Sequence, residues 1–268
     1  MIGTRAKARR LEPNMRAKQI VFSPTGGTRR VVETITSQWD SCADEIDLTD
    51  AKNDFSAFEI AMDDVVVIAV PSYGGRVPAL AAERIKRIRG NEARCIIVCV
   101  YGNRAYEDTL VELKDIAEQS GFRVIAAVCA VAEHSIMHQY AAGRPDQLDR
   151  QELRSFSQKI MDKIGNTDCA SVLRIPGNRP YRKAGGAGLV PKADNGCIGC
   201  GLCAKNCPAE AISGEDLKTA YKKKCISCMR CVTECPESAR KVNEAMVSIA
   251  ALAMKKACSE RKDNELYI

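Results

Sequence analysis

Apolar positions along the first part of the chain switch between two periods. Residues 18–22 (KQIVF) form a short apolar run that reads as a buried strand. The segment after it, GTRRVVETITSQW (27–39), sets Val31, Ile35 and Trp39 at helical spacing. DEIDL (44–48) reads as a second strand. DDVVVIAV (63–70) is a β-branched run without alternation, as expected of a strand buried on both faces. Ala81, Ile85 and Ile88 then mark a helix, RCIIVCV (94–100) a strand, and Tyr106, Leu110, Leu113 and Ala117 another helix. FRVIAAVCAV (122–131) is the fifth strand, and Leu153, Phe156, Ile160 and Ile164 mark the last helix of this part.

Strands alternating with helices over about 150 residues predict βαβ units and a parallel sheet covered on both faces. Right-handed crossovers make it doubly wound. Residues 167–190 change character: Ile175-Pro176-Gly177, Arg179-Pro180, Gly185-Gly186 and Gly188 give a basic, Pro/Gly-rich linker. A cysteine-rich module follows over 191–241. In 242–268 Met246, Ile249 and Ala253 recur at helical spacing, predicting a closing helix with a frayed polar end. The sheet domain is expected over 15–166, behind a disordered tail at 1–14, with Met15 as an alternative start.

Eight of the 14 cysteines fall between residues 197 and 235. Cys197, Cys200, Cys203 and Cys207 precede Pro208; Cys225, Cys228, Cys231 and Cys235 precede Pro236. Each set reads C-x2-C-x2-C-x3-C-P. Three thiolates in a tight loop reach three irons of one cubane, and the fourth cysteine ligates the other cluster. Two 4Fe-4S clusters are therefore expected, one on Cys197, Cys200, Cys203 and Cys235, the other on Cys225, Cys228, Cys231 and Cys207. The prolines are expected to open short helices. Small residues in the loops, Gly199, Gly201 and Ser227, let backbone amides approach the sulfurs. Zinc is the competing metal, but zinc ribbons use two cysteine pairs, not two triplets each trailed by Cys-Pro. The module resembles the two-cluster bacterial ferredoxins. It departs from their usual acidity: residues 197–235 hold six basic and four acidic side chains, a surplus of two positive charges. That favours an acidic redox partner.

Ser23-Pro24-Thr25-Gly26-Gly27-Thr28 lies between the first strand and the first helix. Hydroxyls, glycine amides and a helix N-terminus form an anion cradle. Without lysine it is not a Walker A loop, and no G-x-G-x-x-G is present. An uncharged cradle suits a phosphate monoester held without a counter-ion. Pro71-Ser72-Tyr73-Gly74-Gly75 follows the third strand and Tyr101-Gly102-Asn103-Arg104-Ala105-Tyr106 the fourth, at the sheet end where open α/β sheets bind ligands.

S-x-T-G-G-T after strand one looks like the FMN phosphate loop of flavodoxins. By that resemblance the sheet is five-stranded with order 2-1-3-4-5, and the other two loops sandwich the flavin ring. Tyr73 and Tyr101 or Tyr106 are the candidates for ring contact, and amides near Gly74 and Gly102 would reach the flavin edge. With the phrases PSYGGRVP, YGNRAYEDTL and AEHSI, the whole chain resembles the flavodoxin–ferredoxin fusion electron-transfer proteins. Glu133, His134 and Ser135 fall at the same sheet end; His134 reads either as a structural loop histidine or as a proton donor to the flavin. Cys95, Cys99 and Cys129 lie inside strands and read as buried apolar residues, while Cys42, Cys169 and Cys258 have no motif.

Composition narrows the function. The 268 residues are 46% hydrophobic and carry a formal charge of +6. No apolar run is long enough to span a bilayer, and the basic N-terminus with its Arg9-Arg10 pair has no apolar stretch behind it. A cytoplasmic protein without membrane attachment is expected. Lys222-Lys223-Lys224 stands without any nucleic-acid motif and reads as solvated surface. Clusters pass single electrons and a flavin takes one or two, so both on one chain make a relay. No catalytic triad or paired-carboxylate site appears, which favours an electron carrier, monomeric or homodimeric, over a substrate-specific enzyme. A flavin-dependent reductase of a small substrate and a redox sensor are the alternatives.

Overall fold

A computed structural model describes residues 16–39, 44–165, 173–185 and 188–268. The tail expected over 1–14, Met15, Cys42 and Cys169 lie outside the described residues. The first part runs β1 (Ala17–Val21), α1 (Gly27–Thr36), β2 (Asp44–Asp47), β3 (Val65–Pro71), α2 (Ala79–Ile85), β4 (Arg94–Tyr101), α3 (Thr109–Gln119), β5 (Arg123–Val131) and α4 (Gln147–Gly165). The cysteine module holds β6 (Lys192–Ala193), α5 (Leu202–Lys205), α6 (Arg230–Thr233) and β7 (Arg240–Lys241). The chain closes with α7 (Glu244–Cys258) and β8 (Glu265–Tyr267).

The large sheet has the order β2-β1-β3-β4-β5-β8, parallel throughout except for β8. Its first five strands follow the flavodoxin-like order. On β3, Val66, Ile68 and Val70 enter one core and Val65, Val67 and Ala69 the other. That two-sided burial is why the sequence run shows no alternation. α1 and α4 cover one face with Val31, Val32, Ile35, Leu153, Phe156 and Ile160; α2 and α3 cover the opposite face with Ala81, Ile85, Leu110 and Leu113. Trp39 donates its indole N–H to the Ser157 hydroxyl at 3.0 Å, and Ser157 donates to the Ile35 carbonyl at 2.6 Å, so this helix contact leaves no polar atom stranded.

The crossover from β2 to β3 has no helix; Leu48, Phe55 and Ile60 fill its place in the core. The buried Arg84 lies 5.4 Å from the Phe55 ring centroid and donates to the Leu48 and Pro208 carbonyls, both at 2.6 Å. Pro208 follows the fourth cysteine of the first motif, so Arg84 ties the sheet domain to the cysteine module.

Three expectations change. The polar end of the chain is not frayed: β8 pairs antiparallel with β5 as a sixth strand, Cys129 opposite Glu265 and Ala127 opposite Tyr267. The buried Asn264 accepts from the Val131 N–H at 2.9 Å and donates to Glu152 at 2.6 Å. The stripe of α7 is not packed either, since Met246 and Ile249 are exposed. Finally, the short helices of the cysteine module precede the fourth cysteines. Pro208 and Pro236 sit in turns closed by Glu210 N–H to Cys207 O at 3.1 Å and Ser238 N–H to Cys235 O at 3.0 Å. Glu210 and Ser238 have φ of 46° and 48°, left-handed values that a helix cannot contain.

The described part of the linker is docked. Asp108 accepts from the Asn178 and Arg182 backbone N–H groups at 2.8 and 2.7 Å. Asp115 accepts from Arg179 at 2.8 Å and from the Tyr181 hydroxyl. These donors, Arg182 N–H first for Asp108 and Arg179 first for Asp115, hold both carboxyls below the ordinary aspartate range. No helix among the described residues is long and apolar enough to cross a membrane.

Candidate functional site

One cleft opens at the C-terminal ends of β1, β3, β4 and β5. Of the residues expected there, Ser23, Thr25, Gly27, Thr28, Pro71, Ser72, Tyr73, Gly74, Tyr101 and Gly102 line it. Gly26, Gly75, Asn103, Arg104 and Tyr106 do not. Gly26 supports the loop from behind, with φ 84° as the N-terminal cap of α1. Gly75 (φ 83°) is packed against Glu107. Asn103 is buried and donates to the Cys258 and Glu260 carbonyls at 3.0 and 2.8 Å. The Arg104 guanidinium pairs with Glu107 at 2.9 Å. Tyr106 donates to Glu265 at 2.6 Å, so Tyr101 is the aromatic of this loop that reaches the cleft, and Tyr106 serves β8 instead.

The loop from Ser23 to Thr28 joins β1 to the N-terminus of α1 beside the cleft. Ser23 Oγ accepts the Arg29 backbone N–H at 3.0 Å, fixing the loop on the first turn of α1. Arg30, which belongs to no motif, brings its Nη1 to 3.3 Å from where a Gly26 Cβ would lie. An exposed cation thus stands near Gly26, outside the residues that line the cleft. The loop after β5 also forms one wall, from Ala132 to Ile136. His134 packs on Gly102, where a Cβ would come within 2.6 Å of the imidazole. Its Nδ1 accepts the Ile136 and Met137 N–H groups, both at 3.2 Å, so Nε2 carries the proton of the neutral ring. Burial first, then the neighbouring His138, lowers its pKa and favours that neutral form.

The remaining wall comes from outside the sheet domain: Gly185 from the linker, and Ile226 and Ser227 from the second cysteine motif. Ile226 also packs against the core formed with α2 and α3. Gly74 makes the close approach possible, since with φ 61° a Cβ there would stand 2.5 Å from the Gly185 carbonyl oxygen. Tyr73 lies between cleft and motif. Burial pushes its phenol well above the ordinary range, and the nearby Cys228 charge adds to that.

In the cysteine module, Cys197, Cys200, Cys203 and Cys235 line one cavity, and Cys207, Cys225, Cys228 and Cys231 line a second. No group of three or more acidic, histidine or cysteine side chains among the described residues closes on a single ion's position; the sulfurs ring cavities instead. The Ala211 N–H donates to Cys207 Sγ at 3.3 Å, an amide–sulfur bond of the kind that steadies a ligating thiolate. Burial pushes the Cys228 thiol up to about 11 and the Cys231 thiol up to about 12, so these groups become thiolates only against a metal.

Residues 196–240 match the 4Fe-4S dicluster domain. This dicluster domain contains all eight motif cysteines and gives the chain an electron-transfer role. Comparison with curated proteins finds no match. Among solved structures, a Streptococcus pneumonia TIGR4 flavodoxin is similar at 18% identity and a TM-score of 0.38, over 56% of this chain and 99% of that one. The Megasphaera elsdenii flavodoxin is similar at 15% identity and a TM-score of 0.34, over 53% and 98%. Flavodoxin 1 of Bacillus cereus is similar at 13% identity and a TM-score of 0.38, over 55% and 97%. The sheet to which the dicluster domain is joined has the flavodoxin-like strand order β2-β1-β3-β4-β5, with β8 added.

Proposed function

We propose that the chain relays electrons between two 4Fe-4S clusters and one bound FMN on behalf of a redox protein. The observation that carries this reading is the shared wall: Ile226 and Ser227, between two cysteines of the second motif, line the cleft at the sheet's C-terminal edge. A cluster on Cys207, Cys225, Cys228 and Cys231 would therefore be the inner one. The phosphate of FMN suits the Ser23–Thr28 loop with Arg30 beside it, and Tyr73, Tyr101 and His134 would flank the ring. Bound there, the flavin supplies the exchange of one electron for two.

The cavity of Cys197, Cys200, Cys203 and Cys235 marks an outer cluster. Cys200 is exposed, and Ile198 and Leu202 stand out beside it as a small apolar contact surface. Lys222, Lys223 and Lys224 are exposed on the same module, which supports an acidic partner protein. Eight cysteines reserved for metal fit a reducing cytoplasm.

Anaerobic purification with iron, sulfide and flavin quantitation tests the reading. About eight irons and one FMN per chain are expected, and rapid mixing with a one-electron donor should reduce clusters before flavin. Iron without flavin leaves an isolated ferredoxin function and removes the relay. Turnover of a quinone or nitro compound without any partner protein would move the reading to a reductase.

A further inference from the structure

The two motifs end in the same phrase, Cys-Pro-x-x-Ala-x, and the last position differs: Ile212 in the first, Arg240 in the second. Ile212 lines the cavity of Cys207, Cys225, Cys228 and Cys231; Arg240 lines that of Cys197, Cys200, Cys203 and Cys235. The module is symmetric in its ligands, but four matched wall pairs differ: Gly201 and Met229, Leu202 and Arg230, Glu237 and Ala209, and Arg240 and Ile212. Of the charged ones, Glu237 is exposed and Arg230 is paired with Glu234 at 3.0 Å, whereas Arg240 has no such partner.

Arg240 is 1% exposed. Its Nη1 donates to the Pro191 carbonyl at 3.0 Å and its Nη2 to the Leu217 carbonyl. Pro191 lines the inner cavity and Leu217 the outer one, so the guanidinium spans the partition between them. Its Nε is buried and has no hydrogen-bond partner among the described residues. No carboxylate forms an ion pair with it there, and Asp216, whose carboxyl feels its charge, is exposed. A buried cation bonded only to carbonyl oxygens is unfavourable unless an anion is buried with it. A cubane ligated by four thiolates is such an anion.

We propose that Arg240 is the buried counter-cation of the cluster pair, that its Nε–H donates to the outer cluster, and that it holds the outer cluster at the higher potential. This rests on the two-cluster reading above. Each cluster gains one electron on reduction and loses it on oxidation, with no bond made or broken; the added negative charge is what Arg240 stabilises. At the matching position Ile212 offers the inner cluster no donor, and the Arg230 guanidinium that lines that cavity is already neutralised by Glu234 at 3.0 Å. The first electron to enter therefore rests on the outer cluster, and the inner cluster, beside the cleft, fills second.

The test uses the full chain, purified anaerobically, with iron counted first. A wild-type chain without iron would end the two-cluster reading itself, independently of Arg240. Given iron, a titration followed by electron paramagnetic resonance resolves two one-electron steps. Arg240→Ile, which copies the Ile212 wall, and the polar but neutral Arg240→Gln are expected to weaken reduction at the higher step at least tenfold. For one electron that is about 59 mV. The lower step should move less, and Arg240→Lys should keep most of the wild-type value. If Arg240→Ile loses iron, the Gln and Lys variants decide. An iron-replete Gln variant whose higher step stays within twofold of wild type overturns the proposal. So do equal shifts of both steps, or a Lys variant that falls as far as Gln.

Discussion

On β3 and β4 nearly every side chain is buried from one end of the strand to the other, on both faces of the sheet. Across the cysteine module the deeply buried side chains reduce to a few, among them Ala211, Met229, Ala239 and Arg240, and one of those is charged. The first region fills its own interior with apolar atoms, which is the ordinary source of domain stability. The second arranges its chain around two cavities, with strands of two residues and helices of four. It is a fold whose interior is meant to be metal. Among the described residues the two regions are nonetheless bound by Arg84 to Pro208, by Arg230 to Thr49 at 2.6 Å and by Ile226 on the sheet core, and the segment that follows the module adds β8 to β5.

Removing iron should separate the regions most sharply. Ligation free energy is folding free energy for small metal-organised domains, about 10 kcal/mol or more for structural zinc peptides. After anaerobic treatment with an iron chelator, amide hydrogen exchange should rise to unprotected levels across 197–240 while β1, β3, β4 and β5 stay protected. Continued protection of 197–240 in the stripped chain would mean that the module holds itself, and the contrast between the regions would fail.

How far each region can be read from sequence follows the same contrast. β3, β4 and β5 were legible because burial on both faces leaves unbroken apolar runs such as Val65 to Val70. The eight cysteines were legible because ligation demands fixed spacing. β8 was not: Glu265-Leu266-Tyr267 is short and polar, and its pairing is made by residues far away, Asn264 with Val131 and Glu265 with Tyr106. Tyr106 was misplaced in the cleft for that reason. Arg30 was passed over because a helix-surface arginine has no motif, and only folding brings it beside Gly26. Ser227 was read only as a small residue that lets amides approach the sulfurs and Ile226 belongs to no motif, since nothing local says that their loop closes a cleft in another domain.

The tie through β8 can be cut at Asn264. Asn264→Ala strands the Val131 N–H and removes the donors to Glu152 and Asp149. Leaving one buried backbone donor unpaired costs about 1–3 kcal/mol. The expected outcome is an iron-replete protein with fast hydrogen exchange over 258–267 and a sheet domain that unfolds at lower denaturant concentration. Unchanged exchange in that segment would show that the ion pairs of Arg261 with Asp146 and Asp149 hold the tail alone.

The subtlest way to loosen the two regions is at Gly74. Its φ is 61°, and a methyl group placed there would stand 2.5 Å from the Gly185 carbonyl oxygen, which leaves no room for a side chain. Gly74→Ala incurs left-handed strain of about 1 kcal/mol and must also push the linker outward, away from the cleft. Gly74 itself is exposed and outside the sheet core, so thermal stability should fall by little more than that strain. What should change is communication: the second cysteine motif reaches the cleft beside this linker, and a displaced linker draws Ile226 away from it. Laser-flash reduction of the clusters followed at flavin wavelengths reads the effect directly, with slower cluster-to-flavin transfer at unchanged iron and flavin content. A variant that transfers at the wild-type rate would show that Arg84, Arg230 and β8 position the module without help from the linker.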